Sequence, residues 1–322
     1  MKTIFVTGGA GFIGSEYIDY ILKAYGDVLV VCIDKLTYAG KCLPNNRFSN
    51  NPRFRFEKAD ICDNRAIDRL FAEYCPDIVV NFAAESHVDR SIKSPEIFFE
   101  TNLEGTVNLL EAARKHGLKR FHQVSTDEVY GCAVGVPFKE CDKLSPSSPY
   151  SASKAAAELA CFSYAKTFGV NVTVSRSANN YGRFQYPEKL IPVVICSALC
   201  GKKIPLYGQG ESVRDWLFVT DNCKAIDAVI NFGTSGEAYN IAGSCRMTNK
   251  EVVQKILAIL GLGEDLIEYV PDRPGRDLGY NINDEKLKSF YDEPRTDFDY
   301  GLKQTVEWYK ANRAWWEPLF FK

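Results

Sequence analysis

A glycine-rich turn near the start of the chain constrains its fold more than any other feature. The run Thr7-Gly8-Gly9-Ala10-Gly11-Phe12-Ile13-Gly14 follows a short apolar stretch and opens a helical pattern. Its glycines at 8, 11 and 14 permit a tight turn, close approach of backbone N–H groups to a pyrophosphate, and close packing of helix on strand. A strand before the turn and a helix after it predict a dinucleotide-binding βαβ unit here.

An acidic residue completes this predicted nucleotide site. Asp34 comes twenty residues after Gly14, at the end of the second predicted strand. A carboxylate there can accept hydrogen bonds from the adenosine ribose hydroxyls and would repel a 2′-phosphate, so the pattern favours NAD over NADP. The alternative is a glycine-rich turn beside a surface aspartate. Asp60 and Ile61, after the third predicted strand, are expected to flank the adenine, although an aspartate at a strand end is often a turn residue or a cap.

Strand and helix patterns alternate over the first 175 residues, as is typical of βαβ units around a parallel sheet. The predicted strands cover residues 3–7, 28–33, 53–57, 78–82, 121–125 and 171–176, and predicted helices cover 12–24, 65–74, 96–116 and 150–168. After residue 176 the alternation loosens and prolines separate shorter elements. We therefore expect an α/β fold, with a Rossmann-type doubly wound parallel sheet in residues 1–175 and a smaller mixed α/β substrate lobe in 176–322, their boundaries interleaved.

Composition excludes several classes of function. A net charge of −2 at pH 7 argues against a nucleic-acid partner. The chain has no run of 18 apolar residues and no charged-then-apolar leader, so we expect a cytoplasmic protein without a membrane partner. Its 11 cysteines form no C-x-x-C pair, and its 3 histidines have no metal-ligand spacing. Free thiols and the absence of a metal site are the corresponding expectations.

Two further segments carry candidate catalytic residues. Tyr150-Ser151-Ala152-Ser153-Lys154 places a phenol and an ammonium on one helix face, where the cation can lower the phenol pKa toward a useful general base. A solvated helix face is the alternative. The segment 125–130 contains Thr126 and the adjacent carboxylates Asp127 and Glu128, which suggest that a second proton transfer follows alcohol oxidation. The alternative for this pair is a helix N-cap with a first-turn acid, which would leave an epimerase or a plain dehydrogenase.

These motifs resemble the extended short-chain dehydrogenase/reductase superfamily and, within it, the dTDP-glucose 4,6-dehydratase family. The resemblance follows the family order over nearly the whole chain. Besides the glycine turn and the segments at 125–131 and 150–154, the matching blocks cover residues 83–91, 179–182, 187–192, 214–216 and 272–277. The adjacent carboxylates are the specific motif, because related sugar-nucleotide epimerases lack them.

The resemblance implies NAD-dependent dehydration of a nucleoside-diphosphate hexose, most closely dTDP-glucose, by oxidation at C4, loss of water across C5 and C6, and hydride return to C6. Tyr150, with Lys154 and Thr126, would remove the O4 proton. Glu128 would then remove the C5 proton while Asp127, in its acid form, protonates the departing 6-hydroxyl. The alternatives that stay open are a 4-epimerase, a dehydratase of a UDP-sugar, and a non-catalytic NAD-binding regulator.

The resemblance also implies binding residues and a partner. Residues expected to bind NAD are Gly8, Gly11, Phe12, Ile13, Gly14, Asp34, Lys35, Leu36, Thr37, Asp60, Ile61, Phe82, Ala83, Ala84, Ser86, Thr101, Tyr150, Lys154 and Asn180. Residues expected to bind the nucleotide sugar are Ser86, Thr126, Asn179, Glu188, Lys189, Leu190, Pro205, Tyr207, Arg214, Asn249, Arg276 and Tyr280. A homodimer is expected through the helices at 96–116 and 150–168, with candidate apolar contacts at Phe98, Phe99, Leu109 and Leu110.

Among these contacts, Arg214 is the best expected phosphate partner, because its planar guanidinium can bind a diphosphate through two parallel hydrogen bonds. Lys189 would act as a point charge, and Tyr207 would form part of an apolar wall for the base. One departure from the family pattern lies nearby. Arg183 stands where the family commonly has proline, in the loop beside the expected sugar position.

Overall fold

A parallel sheet organises the molecule. The computed structural model describes residues 1–40, 47–133, 135–272, 275 and 277–321. The strands in these residues are β1 (Lys2–Thr7), β2 (Val28–Ile33), β3 (Phe54–Glu57), β4 (Ile78–Asn81), β5 (Arg120–Thr126), β6 (Val172–Ser177), β7 (Asn179–Tyr181), β8 (Ile204–Tyr207), β9 (Val213–Phe218), β10 (Glu237–Ile241), β11 (Cys245–Thr248) and β12 (Ile267–Val270).

The main sheet has seven strands, all parallel, in the order β10-β6-β5-β4-β1-β2-β3. The order reverses between β1 and β4, and a crevice at the carboxyl ends of the strands is the usual ligand site of such a sheet. The expected Rossmann-type doubly wound sheet is confirmed. The six predicted strands are all present, and their ends agree with the observed ones to within one residue.

Helices cover both faces of this sheet and build the second half of the chain. They are α1 (Phe12–Ala24), α2 (Asn64–Tyr74), α3 (Val88–Lys93), α4 (Glu96–Phe99), α5 (Gly105–Lys115), α6 (Pro149–Phe168), α7 (Leu190–Leu199), α8 (Val219–Phe232), α9 (Asn249–Leu260), α10 (Glu285–Lys288), α11 (Phe298–Ala311) and α12 (Arg313–Phe320). The helices predicted at 12–24, 65–74 and 150–168 correspond to α1, α2 and α6.

The segment predicted as one helix at 96–116 is helical over 96–115 but contains a π-helical turn that the sequence did not predict. The structure divides it into α4, a π-helical turn at Glu100–Glu104, and α5. The division occurs where the chain packs closely on the segment after β3, since a Cβ on Gly105 would lie only 2.5 Å from Ile61 Cδ1. A single π turn inside a helix is often found at a functional site. Here the turn contains Thr101, which lines the crevice described below.

Apolar side chains fill the space on both faces of the main sheet. One buried cluster includes Ile18 of α1 and Ile226 of α8, and the other includes Leu70 of α2, Leu110 of α5 and Cys161 of α6. Burying an aliphatic side chain of this size stabilises a fold by about 1.5–3 kcal/mol. These clusters hold the carboxyl ends of the strands, and the loops that follow them, in fixed positions.

A third apolar cluster builds most of the second half. Ile195 of α7, Val253 of α9, Val306 of α11 and Trp316 of α12 belong to it. The cluster also includes side chains from two small sheets, whose strand orders are β11-β9-β7 and β12-β8. Strand β10 comes from the same half of the sequence but pairs with β6 in the main sheet. The division of the chain at residue 176 stays a prediction.

Three further features bear on function. Over the described ranges, no helix is long and apolar enough to cross a membrane. The same residues contain no group of three or more side chains that could hold a metal ion. The ten cysteines in the described part of the chain are all free.

Candidate active site

The glycine turn leaves the N-terminus of α1 open. Gly11 is the N-cap and has no side chain to bond the first helical N–H groups, and the first turn contains no acidic residue. A Cβ on Gly14 would lie 2.5 Å from the Gly8 carbonyl oxygen, and a Cβ on Gly8 would lie 2.6 Å from the Ala83 backbone. Glycine is therefore required for the turn, the helix and the end of β4 to pack together. The first N–H groups of α1 remain available to an anion.

Asp34 lies beside this turn at the end of β2. Its carboxylate accepts hydrogen bonds from the Ala10 N–H at 3.0 Å and from the Leu36 N–H at 2.7 Å. Burial raises the pKa of Asp34, and these two N–H groups and the charge of Lys35 oppose that shift. Leu36 has a φ of 57° and does not line the cleft. It therefore contributes here through its backbone N–H to Asp34.

The predicted adenine end is held by Asp60. Its carboxylate forms an ion pair with Lys35 at 3.2 Å and accepts a hydrogen bond from the Cys62 N–H at 3.0 Å. Lys35 Nζ also lies 3.5 Å from the Thr101 hydroxyl. Asp60 is thus a turn residue, as the alternative interpretation held, and at the same time lines the cleft with Ile61.

Thr126 links the candidate catalytic segments. It ends β5 and caps the 3-10 helix Asp127–Tyr130, its hydroxyl accepting a hydrogen bond from the Glu128 N–H at 3.2 Å. The same hydroxyl lies 3.3 Å from Asp127 Oδ1 and is hydrogen-bonded to Tyr150. Asp127 and Glu128 are therefore first-turn acids behind an N-cap, as the alternative interpretation held. That turn also places both carboxylates on the wall of the cleft that Tyr150 lines.

Tyr150 and Lys154 lie in the first turns of α6. Ser148 caps this helix by accepting a hydrogen bond from the Ser151 N–H at 3.1 Å. Lys154 Nζ donates to the Val124 carbonyl oxygen at 2.6 Å, which ties the ammonium to β5. Both Tyr150 and Lys154 are buried. The solvated helix face considered as an alternative is therefore wrong.

Burial dominates the electrostatics of this pair. It raises the pKa of Tyr150 well above its ordinary value, and the charge of Glu128 adds to the shift while the Thr126 hydrogen bond opposes it. Burial also lowers the pKa of Lys154 to about 8, against the opposing charge of Glu158. The protein groups alone therefore do not lower the phenol pKa as the sequence led us to expect, because burial is the larger effect.

The surroundings of Asp127 favour its protonated form. Burial raises its pKa well above the ordinary value, and the charges of Glu128 and Asp215 raise it further. Its Oδ2 atom is buried and has no hydrogen-bond partner among the described residues. Burial and neighbouring negative charge favour the protonated form of a carboxyl group, which is the state that a general acid requires.

Arg214 lies near the carboxylates but is partly engaged by the protein. Its two terminal nitrogens donate to the carbonyl oxygens of Val213 at 2.8 Å and Asp277 at 3.1 Å. The guanidinium carbon lies 4.5 Å from the centre of the Tyr280 ring. The Tyr280 hydroxyl in turn donates to Asp277 at 2.8 Å and lies 3.5 Å from Glu128. These contacts fix the Arg214 guanidinium in place, and its remaining N–H groups stay available to a phosphate.

Three contacts join the first and second halves of the chain beside the cleft. Lys189 Nζ donates to the Ser86 carbonyl oxygen at 2.7 Å. The Tyr38 hydroxyl donates to Glu188 at 3.1 Å. The Tyr207 hydroxyl lies 3.3 Å from Asp89. Four of the predicted substrate residues, Ser86, Glu188, Lys189 and Tyr207, thus also take part in contacts between the two halves of the chain.

The unusual Arg183 has a structural explanation. Its Nε atom donates to Glu16 at 3.0 Å, and its terminal nitrogen forms an ion pair with Asp19 at 2.9 Å. Both acids lie on α1, and Arg47 also pairs with Glu16 at 2.8 Å. Arg183 therefore ties the loop after β7 to the helix that begins at the nucleotide site.

A single cleft of about 580 Å³ brings the predicted residues together. It is lined by every predicted catalytic and binding residue in the described ranges except Leu36, whereas Arg276 lies outside the described residues. Sequence reasoning missed other wall residues, including Gln185, Tyr186 and Trp216. The available signal was their position, since Trp216 ends the matched block at 214–216 and the other two directly precede the block at 187–192.

Buried polar atoms without a protein partner concentrate at this cleft. Seven such atoms belong to residues that line it: Ser125 Oγ, Asp127 Oδ2, Asn179 Oδ1, Asn180 Oδ1, Gln185 Oε1, Trp216 Nε1 and Asn249 Oδ1. Buried polar groups in proteins normally find a partner. Their concentration at the cleft fits a site whose ligands are rich in hydroxyl, amide and phosphate groups.

Comparison with known proteins agrees with this geometry. A family model described as GDP-mannose 4,6 dehydratase matches residues 5–305. The dTDP-glucose 4,6-dehydratase of Neisseria meningitidis serogroup B is 46% identical, covering 99% of this chain and 96% of the relative. The structure of dTDP-glucose 4,6-dehydratase from Streptomyces venezuelae, solved with NAD bound, has a TM-score of 0.95 at 43% identity, covering 98% of this chain and 99% of that one. A UDP-glucose 4-epimerase of Thermus thermophilus shares the fold at a TM-score of 0.87 and 29% identity, covering 96% of this chain and 99% of that one.

Proposed function

This chain belongs to the dTDP-glucose 4,6-dehydratase family, and from that premise we propose that it is an NAD-dependent hydro-lyase that converts dTDP-glucose to the 4-keto-6-deoxy sugar. The adjacency of Asp127 and Glu128, in one cleft with Tyr150 and Thr126, carries the proposal. An epimerase needs only the base at C4, whereas loss of water needs a base for C5 and an acid for the 6-hydroxyl.

The nucleotide end of the cleft fits a dinucleotide. The open N-terminus of α1 would hold the pyrophosphate, and Asp34 would accept hydrogen bonds from the ribose. When bound, NAD would supply the acceptor for the C4 hydride, the source of the hydride that reduces C6, and a positive charge on its oxidised nicotinamide ring. Asp60 and Ile61 would lie against the adenine.

Tyr150 serves as the base for the first step. It takes the proton of the sugar 4-hydroxyl, while Thr126, to which it is hydrogen-bonded, holds the same oxygen. Because burial raises the Tyr150 pKa, the phenolate needs positive charge nearby. Lys154 supplies part of it, since a pKa of about 8 leaves most of the amine charged at pH 7.

Glu128 and Asp127 perform the elimination. A ketone at C4 acidifies the C5 hydrogen, so the Glu128 carboxylate can remove it. Asp127 gives its proton to the departing 6-hydroxyl, and its raised pKa favours the protonated form that this step needs. Water leaves, and Glu128 returns a proton to C5 when C6 is reduced. Arg214, stacked on Tyr280, would hold the diphosphate.

We also propose that the enzyme is a cytoplasmic homodimer that pairs through α6 and the helices at 96–116. Of the four apolar residues expected from the sequence to contact the partner, Phe98, Leu109 and Leu110 are buried within the chain itself, whereas Phe99 is 36% exposed. Leu159 and Phe168 on α6 are instead 61% and 52% exposed. Leu159→Glu should therefore convert a dimer to a monomer in light scattering, and an unchanged mass would refute this interface.

The free thiols suit a reducing compartment, and cell fractionation tests the location.

The mass of the product tests the function and the substrate together. The purified chain is incubated with NAD and, separately, with dTDP-glucose, UDP-glucose and UDP-N-acetylglucosamine. Loss of the mass of one water from dTDP-glucose is expected. Loss from a UDP-sugar alone would reassign the substrate, and an unchanged mass in all three would contradict dehydration. Tyr150→Phe is the control, since it should abolish the change without altering the fold.

A further inference from the structure

A buried ion pair lies one helical turn beyond Lys154. Glu158 follows Lys154 by four residues on α6, so the two side chains share a helix face. Glu158 is fully buried, and its Oε2 atom accepts hydrogen bonds from Arg176 Nε at 2.9 Å and from a terminal nitrogen at 2.7 Å. Arg176 lies on β6 and is 3% exposed. Neither residue lines the active-site cleft.

The two charges of this pair are not fully matched. Both contacts from Arg176 go to Oε2, and Oε1 of Glu158 is buried with no hydrogen-bond partner in the described part of the chain. Arg176 is also shared, because it donates to the Tyr130 hydroxyl at 2.6 Å and to the Glu140 carbonyl oxygen at 3.2 Å. Little solvent is present to screen the carboxylate, and its charge acts on Lys154.

Other charges near the Lys154 ammonium are few. Cys161, further along α6, also acts on it, but burial raises the thiol pKa and keeps the thiol uncharged. From β5 the contact is the Val124 carbonyl oxygen. From the π turn, the neutral amide of Asn102 donates to Ser153 of α6 at 2.8 Å. Among the ionisable residues that line the cleft, Tyr150 lies on the same helix as Lys154, and Asp127 and Glu128 directly follow β5.

The charged side chains of α3, which also packs on α6, have other surroundings. The Arg90 guanidinium lies 4.0 Å from the centre of the Tyr38 ring, and Asp89 lies 3.3 Å from the Tyr207 hydroxyl. Lys93 is exposed. Glu158 is the carboxylate whose charge opposes the effect of burial on the pKa of Lys154.

We propose that Glu158 and Arg176 are positioning residues that set the charge state of Lys154, with Glu158 favouring the ammonium form and Arg176 limiting that effect. The inference rests on the proposed function, in which charged Lys154 supports proton removal by Tyr150. Burial alone drives a lysine toward the neutral amine. A carboxylate one turn away counters this, and the guanidinium holds the carboxylate in place without touching the reacting atoms.

Single variants separate this role from a purely structural one, because the two partners have opposite charges. Glu158→Gln removes the anion and leaves the cation, so the alkaline loss of C4 oxidation should move about one pH unit or more to lower pH. Arg176→Gln leaves an unmatched carboxylate, so the same loss should move to higher pH. The double variant should return toward the wild-type profile. A pair that only stabilises the fold would shift neither profile, or both in the same direction.

The measurement is the pH profile of nicotinamide reduction in a single turnover, followed by absorbance with the full chain, NAD and dTDP-glucose. Circular dichroism confirms that each variant is folded. Glu317→Gln is the matched control. It removes an exposed ion pair, in which a terminal nitrogen of Arg313 lies 2.9 Å from Glu317 Oε1, and should leave the pH profile unchanged.

The outcomes distinguish the two proposals. If the wild-type chain reduces no nicotinamide at any pH, the proposed function fails. If the wild type reacts and the two single variants do not shift in opposite directions, the positioning role is refuted. Should Glu158→Gln fail to fold, the direction of the shift in Arg176→Gln still decides the question.

Discussion

Replacing Gly14 by alanine should weaken NAD binding because the start of α1 cannot accept a side chain. The added Cβ would lie 2.5 Å from the Gly8 carbonyl oxygen, and ordinary contact begins at 3.4 Å, so helix and turn must separate by about 0.9 Å. Overpacking of this kind costs about 1–3 kcal/mol of stability. The same displacement breaks an N–H···O bond of about 2.9 Å. One lost bond to a charged group, about 1.5–3 kcal/mol, weakens affinity roughly tenfold to a hundredfold.

Titration calorimetry with NAD measures the affinity, and thermal unfolding without NAD measures the stability. Gly26→Ala is the matched control, because no atom lies within 4 Å of a Cβ added there. It should change neither quantity appreciably. If Gly14→Ala stays folded and binds NAD as tightly as the wild type, the open start of α1 does not hold the pyrophosphate.

Three other predictions concern single carboxylates. Asp127→Asn should let the oxidation at C4 proceed but slow water loss by at least about 100-fold, because the amide cannot donate the proton, and product mass with nicotinamide absorbance tests both. Asp34→Asn should raise the affinity for NADP relative to NAD by removing the charge that repels the 2′-phosphate, and an unchanged ratio in competition binding would contradict this role. Burial raises the pKa of Asp215 to about 6, so the folded chain holds a proton that the unfolded chain releases. As the pH rises from about 4 to about 6, the free energy of unfolding measured in urea should therefore decrease in the wild type. The decrease should be smaller in Asp215→Asn.

The sequence predicted the parallel sheet because its signals are local. Each strand is a short apolar run bounded by turn residues, and each helix has its own periodicity and cap. Ser148 ahead of Tyr150 and the glycines ahead of Phe12 are signals of this type. The glycine turn, the carboxylate at the end of β2 and the Tyr/Lys spacing depend on the same local order, so the amino-acid sequence is sufficient to locate them.

Contacts between distant parts of the chain could not be read in this way. Gly105, directly after the π turn, packs closely on Ile61, and neither segment reveals this contact alone. The pairing of Arg183 with Glu16 joins residues 167 positions apart. The pKa of Tyr150 was predicted with the wrong sign for the protein alone, because the extent of burial is a property of the whole fold and here outweighs the opposing Thr126 hydrogen bond.

The fate of the hydrogen on C4 tests the central claim most directly. We would incubate the chain and NAD with dTDP-glucose carrying deuterium at C4 and locate the label in the product by NMR. If oxidation, elimination and return occur in one cleft, the deuterium should appear in the C6 methyl group of a 4-keto sugar. Deuterium retained at C4 of a sugar that has lost no water would contradict the account and indicate an epimerase.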